Sequence, residues 1–148
     1  MPNSKYPKQY KIPTTFNAVK IPIGNQEIIY LYELLYYLSD LQIKKEIGGF
    51  DIRNKQLQSF LRKEGIKLDY KTKPVVHYEK NYIKFSVGKT VCYSLLKHIR
   101  NAYAHGLLTK EKNEFVFMDK YQGKITAYGR IYHKSLFALI DIIVKSKK

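Results

Sequence analysis

Residues 114–132, EFVFMDKYQGKITAYGRIY, decide how the chain is read. EFVFMD and KITAYGRIY alternate or run apolar around the turn-like KYQGK, which is the pattern of a β-hairpin. After it, SLFALIDIIVKSKK has helical spacing, starting near His133 or Ser135 and turning Leu136, Leu139, Ile140 and Ile143 inward. Before it, a helix is expected from about Lys89 or Thr90 to Ala104. On that helix Val91, Leu95, His98 and Ala102 share a stripe, flanked by Ser94, Ile99 and Tyr103. Gly106 is a natural residue for the left-handed turn that ends such a helix.

Further toward the N-terminus, Asp51 looks like an N-cap for IRNKQLQSFLRKEG, with Leu57, Phe60 and Leu61 inward and Gly65 as terminator. In QEIIYLYELLYYLSD the residues Ile28, Leu31, Leu35 and Leu38 repeat at helical spacing, with Ile29, Tyr32 and Tyr36 as a second stripe. So wide an apolar face suits a helix buried on two sides or used in an interface. Residues 66–88 mix a proline, short β-prone runs and several lysines, and are expected to be loop with short helical or extended pieces. Residues 1–24, rich in proline, read as an extended arm ahead of one domain over 25–148. The expected fold class is therefore mainly α, a helical bundle with a small β-hairpin before the C-terminal helix.

Composition narrows the possible roles. A chain of 148 residues, 45% hydrophobic and 26% charged, suits a single globular domain rather than disorder. Its one cysteine, Cys92, rules out an internal disulfide and a multi-cysteine zinc site. It lies in the apolar run VCYSLL, which fits a small buried hydrophobe. Four scattered histidines without a supporting Cys or carboxylate pattern suggest no metal site, and no cofactor is expected. His77 and His133 are isolated and fit surface or capping roles. No apolar run of about 18 residues is present, and the first residues lack the apolar segment of a secretory signal, so a cytoplasmic, membrane-free protein is expected. Twenty-seven Lys and Arg against 12 Asp and Glu give a net charge of +15. Such an excess favours polyanionic partners through long-range attraction and counterion release, although it also serves solubility.

The candidate chemistry lies in LLKHIRNAYAHG, residues 95–106. Asn101 and His105 are four residues apart and share a helix face; Arg100 and His105, five apart, are separated by about 140° around the axis. Histidine naturally titrates near working pH, as a general acid–base group should. A guanidinium grips phosphate with paired donors and stabilises added charge. Asn101 could orient His105 or bind ribose or phosphate. These are the parts for cleaving RNA without a metal: a base takes the 2′-hydroxyl proton, the oxygen attacks phosphorus, and a 2′,3′-cyclic phosphate remains. General base and general acid are separate tasks, so one Arg–His pair is too few. Two copies meeting across a two-fold axis would supply both. His98, on the apolar stripe, fits a core or interface histidine, with substrate contact open to it. Tyr103 fits packing or the cleft wall, and Lys97 fits substrate contact.

Arg100-Asn101-Ala102-Tyr103-Ala104-His105 resembles the signature of the HEPN superfamily: arginine, a polar residue, then histidine late in a helix. FVFMDKYQGKITAYGRIYHKSLFALI looks like plasmid- and prophage-borne members, in which a short hairpin precedes the final helix. The motif covers six or seven residues; the broader organisation covers about residue 25 to the end. The resemblance implies a helical bundle that forms a homodimer and acts as a metal-independent endoribonuclease on RNA. Arg100 and His105 would be the catalytic pair, with Asn101 at the polar position. It also implies a toxin or phage-defence role, with an antitoxin or defence-system partner. Some members are inactive, so a non-catalytic RNA- or nucleotide-binding module, or a protein-interaction module, stays open.

Overall fold

The structure is a computed structural model that describes residues 26–27, 29–33 and 50–146. The extended arm and much of the first helix expected from the sequence lie outside these residues. Helical residues 26–27 and 29–33 precede α1 (Lys55–Glu64), β1 (Lys67–Asp69), β2 (Tyr82–Phe85), α2 (Val91–Ala104), β3 (Leu108–Glu111), β4 (Glu114–Tyr121), β5 (Lys124–Tyr132) and α3 (His133–Val144).

The five strands form one mixed sheet in the order β1-β2-β5-β4-β3. Only β1 and β2 run parallel; the other neighbours are antiparallel. This corrects the expected mainly α, HEPN-like bundle with a small inserted hairpin. The hairpin is the middle of the sheet: β5 pairs β4 on one side and β2 on the other, Tyr82 opposite Arg130 and Phe117 opposite Gly129. Two of the added strands come from residues 66–88, and the third, LTKE, follows α2 directly. The cause is pairing: β2 gains its hydrogen bonds from the distant β5, β1 adds to β2, and β3 adds to β4. These short polar strands therefore rest on their neighbours rather than on an apolar pattern of their own.

Parity along the strands sets what covers the sheet. Phe85, Phe115, Phe117, Ile83 and Ile131 join one core with Leu95, Leu96, Ile99 and Ala102 of α2, Leu136, Leu139, Ile140 and Ile143 of α3, and Leu57 and Leu61 of α1. The Phe115 ring meets Phe137 of α3 at 5.5 Å, and the Phe85 ring meets His98 of α2 at 6.1 Å, so both helices lie on the same face. Gly129 is required there, because a Cβ would come within 2.5 Å of the Phe117 ring. On the opposite face the segment after β1 crosses the strands. His77 packs between Tyr82 and Tyr128, and Arg130 Nε donates to the His77 carbonyl at 3.0 Å.

The helix ends follow local chemistry. Asn54, not Asp51, caps α1, its Oδ1 accepting from Leu57 N–H at 3.0 Å. Asp51 acts one turn earlier, where its carboxylate accepts from Arg53 N–H. Thr90 caps α2, and Gly65 and Gly106 take the left-handed conformation after α1 and α2, at φ 67° and 71°. Among the described residues no helix is long and apolar enough to cross a membrane.

Candidate functional site

Helix α2 buries Cys92, Leu95, Leu96, Ile99, Ala102 and Tyr103. Ser94, itself buried, lies with Lys97, His98, Asn101 and His105 on another side, the adjacent pair Lys97–His98 being three or four residues from Ser94 and Asn101. These five line a cleft of about 540 Å³. The opposing wall is made by residues 86–89 after β2, by Asp119, Lys120 and Tyr121 at the end of β4, and by Thr126 of β5.

A carboxylate forms part of that wall. Asp119 is 4% exposed, and its Oδ2 lies 2.7 Å from His98 Nδ1 and accepts from Asn101 Nδ2 at 3.3 Å. His98 Nε2 lies 2.8 Å from the Ser86 carbonyl. A carbonyl can only accept, so Nε2 carries a proton, and the remaining nitrogen shares a hydrogen bond with the carboxylate. Both nitrogens of His98 are thereby engaged, which makes it a positioning residue joining α2, β4 and the end of β2. The wall is tied further by Thr126 Oγ1 donating to the Asp119 carbonyl at 3.1 Å and by Gly88 N–H donating to Ser94 Oγ at 2.9 Å.

His105 is different. It is the C-cap of α2, exposed at the cleft, with its backbone N–H on the Asn101 carbonyl at 3.0 Å. Leu107 N–H returns to the Ala102 carbonyl at 2.7 Å, and Gly106 turns the chain toward β3. The ring is thus mounted on a closed helix end. Exposed Lys89, Lys97 and Lys120 line the same cleft, whose one carboxylate is already paired with His98 and Asn101. A basic cleft with a polar floor suits an anionic ligand that carries hydrogen-bonding groups.

Of the six residues picked out in the sequence, His105, Asn101, His98 and Lys97 come together in the cleft. Arg100 and Tyr103 do not line it. Arg100 is half-buried on the flank of α2, about 100° around the axis from Asn101. Tyr103 belongs to the core. The sequence reading missed Asp119, Ser86, Thr126 and the lysines of the opposing wall. Asp119 did leave a signal: it continues the inward parity of Phe115 and Phe117, and a carboxylate in that register demands a partner.

Two other features are poorer candidates. A hollow of about 310 Å³ beside Phe50, Arg53 and Cys92 has a thiol that burial pushes up to about 12, so it offers no ready nucleophile. Among the described residues no three His, Cys, Asp or Glu side chains group as a metal site would need. No model of a known protein family, no curated protein and no solved structure matches the chain.

Proposed function

We propose that the cleft beside the end of α2 binds RNA and that the protein cleaves it without a metal, with His105 as the proton-transfer group. The observation that carries this is an exposed histidine on a rigid helix end among three lysines and the amide of Asn101. Lysines attract the phosphates, and Asn101 offers a donor or acceptor to ribose or phosphate. His105 takes the 2′-hydroxyl proton, the 2′-oxygen attacks phosphorus, and the 5′-oxygen leaves with a proton, giving a 2′,3′-cyclic phosphate.

The second proton-transfer group is the open requirement. His98 cannot serve while both its nitrogens face acceptors. A second copy with its Arg100 flank turned to this cleft would add a guanidinium and another His105, which is the homodimeric arrangement. In the cytoplasm such an activity would need restraint, the role of an antitoxin or defence-system partner. Because the sheet departs from the bundle implied by the HEPN resemblance, support comes from the cleft and the RNAYAH segment, not from the fold.

The test is incubation of the purified protein with RNA in EDTA and analysis of the product ends. Cyclic phosphate ends that vanish in His105→Ala support the proposal. Titrating the wild type with His105→Ala subunits then tests the shared site. If one site uses His105 from both chains, mixed dimers are inactive and activity falls more steeply than the wild-type fraction, whereas a proportional fall means each chain acts alone. One observation favours a second function, RNA binding without turnover: each cleft holds a single histidine whose ring is not locked between acceptors. Salt-sensitive RNA binding with no cleavage by the wild type would select it.

A further inference from the structure

Building on the proposal that this cleft takes RNA, we infer that Tyr121 is a stacking platform for an unpaired base and makes the cleft selective for single strands over duplex. Tyr121 is the last residue of β4 and is 68% exposed. A large ring left this open gains little for the core, and it stands against the cleft, not on a remote surface. Its direction is set by the hairpin: Gln122 and Gly123 take left-handed conformations at φ 51° and 78°, the backbone of a tight two-residue turn. The turn holds Tyr121 opposite Lys124 in the register of β4 and β5. Tyr93 of α2 and the exposed Val87 line the same cleft, so the basic residues are interleaved with apolar surface.

That interleaving matches an unpaired nucleotide chain. Lys89, Lys97 and Lys120 suit phosphates, and a tyrosine ring suits a base face without regard to its sequence. A duplex hides its base faces within its own stack, so it could use the lysines but not the ring. An acidic peptide would satisfy the charge yet leave the flat, open ring without a matching face. The remaining exposed apolar side chains, such as Val75, Val76 and Tyr78, lie in the segment crossing the opposite face of the sheet and take no part.

The experiment uses the full chain carrying His105→Ala, so that RNA stays intact, and follows anisotropy of labelled oligouridylate alone or annealed to oligoadenylate. Adding Tyr121→Ala should weaken single-strand binding about tenfold, the size of one lost base stack, with duplex binding unchanged. Tyr121→Phe should bind like its parent, because the ring acts and not the hydroxyl. The inference is overturned if Tyr121→Ala binds the single strand as tightly as the parent. It is also overturned if the phenylalanine variant is equally weakened, if duplex is lost to the same degree, or if the parent binds no single strand. Cleavage with a KM indifferent to Tyr121 would sink this inference and leave the nuclease standing. Tyr121-dependent binding by a wild type that never cleaves would do the reverse.

Discussion

His98 and Asp119, 21 residues apart in sequence, meet at 2.7 Å and join the middle of α2 to the end of β4. The contact is nearly dry, with side chains 12% and 6% exposed, so neither group can fall back on water if its partner is removed. Asp119→Ala should cost about 1–3 kcal/mol, the range for a buried polar group left unpaired. Urea unfolding measures it. The double variant with His98→Ala should cost less than the sum of the two single changes, because each already breaks the same contact. Strict additivity would show that the two side chains act independently.

Acid should destabilise the fold in two separate windows. Burial holds His77 below its ordinary 6.5, and hydrogen bonds from Thr72 and Tyr82 hold the Asp69 carboxyl well below its ordinary 3.8. In both cases the unfolded chain binds the proton more readily, so stability is present above the ordinary value and drains away as pH falls below it. The first loss begins near pH 6.5 and belongs to His77; the second begins near pH 3.8 and belongs to Asp69. Unfolding free energies of His77→Gln should show a flatter slope in the first window only. Tyr82→Phe, which removes one of the donors to Asp69, should flatten the second.

Gly129 faces the Phe117 ring at the centre of the sheet, where β5 has a strand on each side. Gly129→Ala should therefore lower the melting temperature, with an overpacking cost of about 1–3 kcal/mol. Pairing it with Phe117→Leu should recover part of the loss by making room. A melting temperature unchanged by Gly129→Ala would mean that the ring moves aside freely.

The Cys92 thiol is 1% exposed, and its ionisation is suppressed by burial. A thiol reagent should label the folded protein only as fast as the region opens, and should label it at once in denaturant. Rapid labelling under native conditions would contradict the packing at the start of α2.

Much of this structure was legible because its signals are local. Thr90 and Gly106 bracket α2 within two residues of its observed ends, and the turn at Gln122–Gly123 marks the hairpin. The sheet was not legible, because its remaining strands are short and polar and take their order from β2, whose partner is distant. KLD and YIKF are three and four residues long and carry lysines, and β2 is stabilised by pairing with residues 127–130, over 40 positions away. The site divides in the same way. Asn101 and His105 could be placed together by counting around one helix, whereas the pairing of His98 with Asp119 needed the sheet. Arg100 was read as His105's companion, yet on the helix it faces another direction, as five-residue spacing requires.

The position of β5 has a consequence for how the protein is made. Until residues 124–132 have been synthesised, β2 has only the three-residue β1 beside it, and β4 has only β3. The cleft shares this dependence, since Ser86 follows β2, Asp119 belongs to β4 and Thr126 belongs to β5. A chain that already displays RNAYAH but not yet β5 therefore lacks Thr126 and the strand that joins β2 to β4 in the wall opposite that segment. Whatever the cleft binds, a truncated product ending before β5 should not bind it at this site.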